Sequence, residues 1–320
     1  MPEAELDDLT RSHDRDASVA VLLMAYGTPG APAEIEAYYT DIRRGRPPTA
    51  EQLADLVRRY DAIGGISPLA ERTERQRVAL QAALDLAGPG RFEVVLGLKH
   101  AEPKIERAVA DLADRGFRRI VGLVLAPHYS AFSIGQYLDR ARSAAEPFGI
   151  SVAGIDSWHL EPAYLAFSAA GVRARLAAMP ARTRVLFSAH SLPERIVVLG
   201  DPYPTQLAET AAAVASAAGL SDESWGLAWQ SAGRTPEPWL GPDILAVIDE
   251  LAAGPQPPDG VLVCACGFVA DHLEVLYDLD IEAADRAAKH GLAFARTPCV
   301  NDDAQVMSAL AARVVEAAGR

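Results

Sequence analysis

Eight short runs rich in Val, Ile and Leu, separated by long Ala/Leu/Arg/Glu stretches of helical period, restrict this chain more than any other feature. They are VAVLLMAY (19–26), FEVVLGLKH (92–100), RIVGLVLAP (119–127), ISVAGIDSW (150–158), RVLFSAH (184–190), WGLAWQ (225–230), GVLVCACGF (260–268) and LAFART (292–297). Strands that alternate with helices pair in parallel and are buried on both faces, which is why they read as continuous apolar runs and not as alternating ones. A helical segment at 161–179, EPAYLAFSAAGVRARLAAM, divides the runs four and four. The reading is α/β, with two doubly wound, Rossmann-like halves over 17–160 and 161–301. The closing stretch, 302–320, reads as a capped amphipathic helix that returns to the first half. Residues 1–16, acidic and polar, read as a flexible tail.

With 30 Lys and Arg against 43 Asp and Glu, the formal net charge is −13, opposite to what counterion release from a nucleic acid requires. Hydrophobic residues make up 50% of the chain and charged residues 23%, which fits a packed globular protein and not a disordered one. Cys264, Cys266 and Cys299 are too few for a disulfide framework and point to the cytoplasm. They read as small buried hydrophobes, with Cys264 and Cys266 on opposite sides of their strand. The first residues have no apolar core for a signal peptide, and no apolar run approaches the roughly 20 residues of a membrane span, so membrane contact is at most peripheral. The dinucleotide, P-loop, nucleophile-elbow and H-E-x-x-H signatures are all missing.

Chemistry concentrates in a few segments. GFVADHLEVLYDLDIEAADRAAKHG (267–291) carries Glu274, Asp278 and Glu282, spaced four apart. On a helix these form one stripe, about 6 Å per step, and like charges at that spacing repel unless a cation answers them. The same spacing also suits a solvated acidic face. His190 ends an apolar strand, where ligands of open α/β sheets sit, and precedes Ser191-Leu192-Pro193-Glu194, a capping-box pattern. A lone His is more often a satisfied structural residue. With carboxylates beside it, however, it makes a loose N/O site for a divalent first-row metal, suited to handing the metal on.

The segment Tyr38 to Arg46 and then Arg58-Arg59-Tyr60 gathers five arginines near Ile63 to Leu69, a Gly-Gly turn followed by Ser67-Pro68. Arginine's planar fork and its affinity for ring faces suit a flat, acid-bearing aromatic ligand, or else ordinary ion pairs. The Pro/Gly-punctuated stretch from Trp229 to Asp243 reads as a functional loop or a packed one. His100 and His128, also at strand ends, are weaker candidates.

Together, LLMAYGTP, YYTDIRRGRPP, RYDAIGGISPL, LGLKHAEP, LAPHYSAFS, SAHSLPE, GDPYPTQL, WQSAGRTPEPWLGPD and GFVADHLEVLYDLD resemble the ferrochelatases. The likeness is greatest to the coproporphyrin ferrochelatases of Gram-positive-type bacteria, in order over essentially the whole chain after the tail. The resemblance implies a chelatase fold with the porphyrin in a cleft between two Rossmann-like domains. It implies that His190 and Glu274 are the catalytic metal pair, with Asp278 and Glu282 a relay for hydrated metal. Tyr26 would face the iron from the other side of the ring. Arg43, Arg59, Tyr60, Ser67 and Tyr137 would contact the macrocycle and its propionates.

Fe²⁺ is then a substrate. No [2Fe–2S] cluster is expected, because three cysteines cannot supply four thiolates. The family likeness further implies a monomer in haem b biosynthesis, with transient contacts to neighbouring pathway enzymes. Coproporphyrin III is the favoured substrate. The alternatives are protoporphyrin IX, a non-catalytic haem or porphyrin carrier, and a cobalt or nickel chelatase.

Overall fold

The computed structural model describes residues 18–233 and 235–319, so the expected tail at 1–16 and Arg234 lie outside it. All eight apolar runs form strands: β1 (Val19–Ala25), β2 (Phe92–Leu98), β3 (Arg119–Val124), β4 (Ser151–Ile155), β5 (Thr183–His190), β6 (Trp225–Gln230), β7 (Gly260–Cys264) and β8 (Ala293–Arg296). They assemble into two four-stranded parallel sheets, ordered β2-β1-β3-β4 and β6-β5-β7-β8. The two sheets have equivalent topology. In each, the first strand is central, and its neighbours are reached by crossovers in opposite directions. The crevice beyond the carboxyl end of such a strand is the usual ligand position in open α/β sheets. Tyr26 follows β1 and His190 ends β5, so the two topologically equivalent exits carry the two side chains singled out from sequence.

Alternation along β1 shows how the core is divided. Val19, Val21 and Leu23 join an apolar cluster that also holds Val185, Phe187 and Leu262 of the second sheet. Ala20, Leu22 and Met24 face a separate cluster with the helices Ile105–Asp114 and Ile134–Ala145. The inner faces of both sheets therefore share one continuous core. It includes residues of the helices Leu69–Ala87, Pro162–Leu176, Tyr203–Ala218 and Ala304–Ala318. The last of these is capped by the Asp303 side chain, which accepts from the Gln305 and Val306 amides, and it packs against the Leu69–Ala87 helix and β4.

Two local expectations are corrected. Ser191 does not build a capping box: its hydroxyl donates to the Leu240 carbonyl, and the next element is a single helical turn, Arg195–Val198, without a side-chain cap. The segment is held by a neighbouring loop and not by its own helix. Cys264 and Cys266 do not lie on opposite sides. Positions two apart along extended backbone share a face, and both thiols enter the shared core.

One contact positions the site directly. Gly267, just past β7, donates its amide to the Ser188 carbonyl, and a Cβ on it would lie 2.3 Å from the Ala189 Cβ. Backbone is thereby pressed against the residue that precedes His190. Gly267→Ala is expected to cost about 2 kcal/mol by overpacking. The measurement is a lowered urea midpoint at unchanged slope, and a wild-type midpoint would show that the turn yields freely.

Candidate active site

The strand exits of both sheets open onto one cavity of about 780 Å³, within the range of small-molecule sites. Its lining includes Tyr26, Arg59, Tyr60, Ser67, Tyr137, His190, Glu274, Asp278 and Glu282. Ten residues were read from the sequence as site residues, and these are nine of them. The tenth, Arg43, is not in the lining. Its guanidinium lies over the ring of Tyr39, which is, and its Nε donates to the Arg46 carbonyl.

His190 and Glu274 meet at the exit of β5. Tyr203 donates its hydroxyl to the His190 carbonyl at 2.9 Å, and the His190 Nδ1 bonds the Ser191 carbonyl, which leaves Nε2 facing Glu274 Oε1 at 3.5 Å. On its other side the Glu274 carboxylate lies 3.6 Å from His272 Nε2, and the His272 Nδ1 is fixed on the Ala270 carbonyl. Gln230 ties the parts together. It accepts from Ser188 of β5 and donates to the Glu274 carbonyl, and its own carbonyl takes the Ser191 amide.

The charges follow from this geometry. Burial works against a charged imidazole at His190, but the charge and hydrogen bond of Glu274, the Ser191 carbonyl and Asp278 outweigh it, raising its pKa to about 9. Burial likewise opposes ionisation of Glu274, yet His190 and His272 hold that carboxyl well below the usual range. His190 and Glu274 therefore rest as an imidazolium–carboxylate pair at neutral pH. Asp278 goes the other way: burial and the Glu274 charge raise it to about 6, against the Ser231 hydroxyl and Arg59.

The carboxylate stripe forms, but not on a regular α-helix. An α-helical turn, Leu273–Tyr277, passes into a π-helical segment, Asp278–Ala283, and returns to α-helix at Ala284–Lys289. Four α-helical residues overshoot a full turn by about 40°. The wider i→i+5 turn rotates less per residue, so it brings Glu282 back into line with Glu274 and Asp278. All three reach the cavity. Among the described residues no group of three or more His, Cys, Asp or Glu has the geometry to hold a metal.

Sequence reading passed over several lining residues. Lys99 donates to Gln136, lies over the Tyr137 ring and has its pKa lowered to about 8 by burial and by Arg140 and Arg44. A lysine at the exit of an apolar strand was the available signal. Gln76 and Tyr203 also line the cavity, as do Tyr38, Gln230 and His272, which lie in segments put forward from the sequence without being chosen as site residues. His100 sits behind Tyr26, ring centroids 4.6 Å apart, its Nδ1 on Asp41 at 2.7 Å. His128 lines the wall and bonds Thr210, and burial lowers its pKa to about 3. Of the Trp229 to Asp243 loop, Gln230, Ser231, Ala232, Gly233, Trp239 and Asp243 reach the cavity.

Two parallel sheets whose equivalent exits converge on a cavity, with an imidazole–carboxylate pair on one wall and arginine and tyrosine on others, define a metal chelatase. Solved chelatases share the fold: SirB from Bacillus subtilis with Fe³⁺ has a TM-score of 0.56 at 12% identity, covering 94% of this chain and 96% of that one. The ferrochelatase family model matches residues 18–318, and the chain belongs to that family. It is 47% identical over 305 residues to the coproporphyrin III ferrochelatase of Geobacillus kaustophilus (strain HTA426), covering 93% of this chain and 96% of that protein. It is 44% identical over 308 residues to that of Bacillus subtilis (strain 168), covering 94% and 98%.

The His190 pair makes a prediction in the empty protein. By imidazole NMR, His190 is expected to titrate near pH 9, and in Glu274→Gln well below that, because burial is then opposed only by the Ser191 carbonyl and Asp278. Since the folded pKa of His190 is the raised one, its contribution to stability is complete below about pH 6.5 and is lost as pH rises through about 9, whereas that of Glu274, whose pKa is lowered, is lost as pH falls below the ordinary carboxyl range. An unshifted His190 in wild type would refute the pairing.

Proposed function

We propose that the chain inserts Fe²⁺ into coproporphyrin III in haem b biosynthesis, with both substrates meeting in the described cavity. The observation that carries this reading is the His190–Glu274 pair at the head of a carboxylate stripe, inside a cavity also lined by Arg59 and several tyrosines. The substrate named for the relatives agrees with it.

Metallation needs the macrocycle bent, so that a nitrogen lone pair points at the incoming ion, and it needs two pyrrole protons removed. Glu274, Asp278 and Glu282 draw the hydrated cation inward, and the stripe is not a closed cage, so the ion is not trapped. Fe²⁺ arriving beside Glu274 displaces the His190 proton by repulsion, and that proton passes to water in the open cavity. The freed Nε2 then takes the two pyrrole protons in turn, releasing the first to water before the second, or it ligates the ion while both protons leave directly to water. Tyr26, at the exit of the other sheet, packs on the opposite face of the ring. Arg59, Tyr60, Ser67 and Tyr137 hold the macrocycle and its carboxylates, and Arg43 serves from the rim, through Tyr39. Binding energy from these contacts keeps the ring distorted. The protein works as a cytoplasmic monomer without an iron–sulfur cluster, in transient contact with neighbouring pathway enzymes. Among the described residues, no helix is long and apolar enough to cross a membrane.

His190→Ala is expected to abolish metallation, a loss of at least about 10²-fold for a missing proton acceptor, while porphyrin binding stays largely intact. Unchanged turnover would sink the assignment. Mixing the purified protein with Fe²⁺ and excess porphyrin tests the activity itself. Catalytic loss of the free-base spectrum, faster on coproporphyrin III than on protoporphyrin IX, supports the reading. Stoichiometric binding alone would make it a carrier, and preference for cobalt or nickel another chelatase.

A further inference from the structure

Arg59 belongs to two sites at once. It lines the cavity, and among the described residues it is the cation that pairs with Asp278 of the carboxylate stripe, with Nη1 3.5 Å from Oδ1. Its hold there is poor. Its Nε lies 3.3 Å from Asp55, yet neither this contact nor the one to Asp278 has hydrogen-bond geometry, and Arg59 Nε and Asp278 Oδ1 are both buried without a hydrogen-bond partner. The remaining contact is the Tyr277 ring, 5.0 Å from the guanidinium carbon. The neighbouring Arg58 differs, with hydrogen bonds to Asp55 and to the Tyr277 hydroxyl.

A half-buried guanidinium whose Nε is out of water and without an acceptor gains by moving to one, since charge-assisted forks to carboxylates are among the strongest hydrogen bonds available. An acid-bearing macrocycle brings such an acceptor. Once Arg59 turns to the ligand carboxylate, Asp278 loses the cation beside its unpartnered oxygen. Its other oxygen stays with the Ser231 hydroxyl, so the carboxylate remains in place with Oδ1 available to a metal.

We propose that Arg59 couples the two substrate sites. A bound porphyrin carboxylate draws the guanidinium off Asp278, and porphyrin loading thereby raises the affinity of the Glu274, Asp278 and Glu282 stripe for a divalent cation. The inference rests on the porphyrin reading of the cavity. It adds that the empty protein holds the stripe partly neutralised by its own arginine and becomes competent for the ion once the ring is bound. By reciprocity, a bound cation tightens porphyrin binding by the same factor.

The full chain, Mn²⁺ and zinc coproporphyrin III supply the test. The zinc porphyrin carries the same carboxylates, and its ring centre is already filled. Its binding is followed by absorbance, and Mn²⁺ binding by loss of the free-ion electron paramagnetic resonance signal. The expected result is roughly 5- to 20-fold tighter Mn²⁺ binding with the porphyrin bound, the scale of typical coupling between sites. In Arg59→Met, Mn²⁺ binds more tightly from the start and porphyrin adds less than about twofold. Asp278→Asn, which keeps the arginine, also loses the coupling.

Failure of zinc coproporphyrin III to bind would overturn the reading of the cavity. Porphyrin binding with no change in Mn²⁺ affinity, including undetectable Mn²⁺ binding in both states, would overturn the coupling alone. Tightening that persists in Arg59→Met would show that the ligand's own charge, and not Arg59, carries the effect.

Discussion

The 3.5 Å approach of His190 Nε2 to Glu274 depends on two elements that share no sequence proximity, the end of β5 and a helix that starts after β7. Two half-buried ionisable groups at that distance stabilise one another only if neither drifts, because a charge partly out of water is destabilising once its partner moves away. Much of the surrounding structure meets that requirement. Gln230 bonds both sides, Tyr203 holds the His190 carbonyl, and Gly267 allows the β7 exit to press against β5. None of these contacts faces the ligand as its main task. They set the coordinates of the two groups that do.

A second constraint is that the cavity has walls from both sheets, and those walls are fastened to each other. The β3 exit loop gives the Tyr129 amide to Gln206, and Ser130 and the Ala131 amide to Asp201. Gln76, buried on the Leu69–Ala87 helix, donates to the Val269 and Asn301 carbonyls, and Tyr164 donates to the Cys266 carbonyl. With one apolar core running under both sheets, the halves form a stiff frame and not a hinge. Stiffness is what an enzyme needs if it is to hold a flat aromatic ring in a bent shape, because a yielding wall would relax before the ring did.

The sheets were legible because parallel strands buried on both faces leave long apolar runs, and strand-exit side chains were legible because topology fixes where a strand ends. His190 and Tyr26 follow from that argument with little else. The carboxylate stripe was visible as a spacing, but its π-helical segment was not, since the i→i+5 pattern has no composition of its own. Gln230, Gln76 and His272 were hidden for a related reason. Each works through backbone carbonyls of distant segments, and a partner that is any residue's carbonyl leaves no trace in residue types. The misplaced capping box at Ser191 shows the converse: a valid local pattern lost to the Leu240 carbonyl, a tertiary partner that local spacing cannot anticipate.

The net charge of −13 becomes informative once it is divided in space. Glu274, Asp278 and Glu282 line one part of the cavity and Arg59 another, and the two fields are not insulated from each other, because Asp278 and Arg59 approach to 3.5 Å. Fields of opposite sign that close together partly cancel while the cavity is empty, and this limits what an acidic stripe costs the folded protein. Burial first and then the like charge of Glu274, one helical turn away, raise the pKa of Asp278 to about 6, even with Arg59 beside it. The cancellation also means that neither field reaches full strength alone. A site arranged in this way is most attractive to each substrate in the presence of the other, a property of the pair of charges and not of either residue.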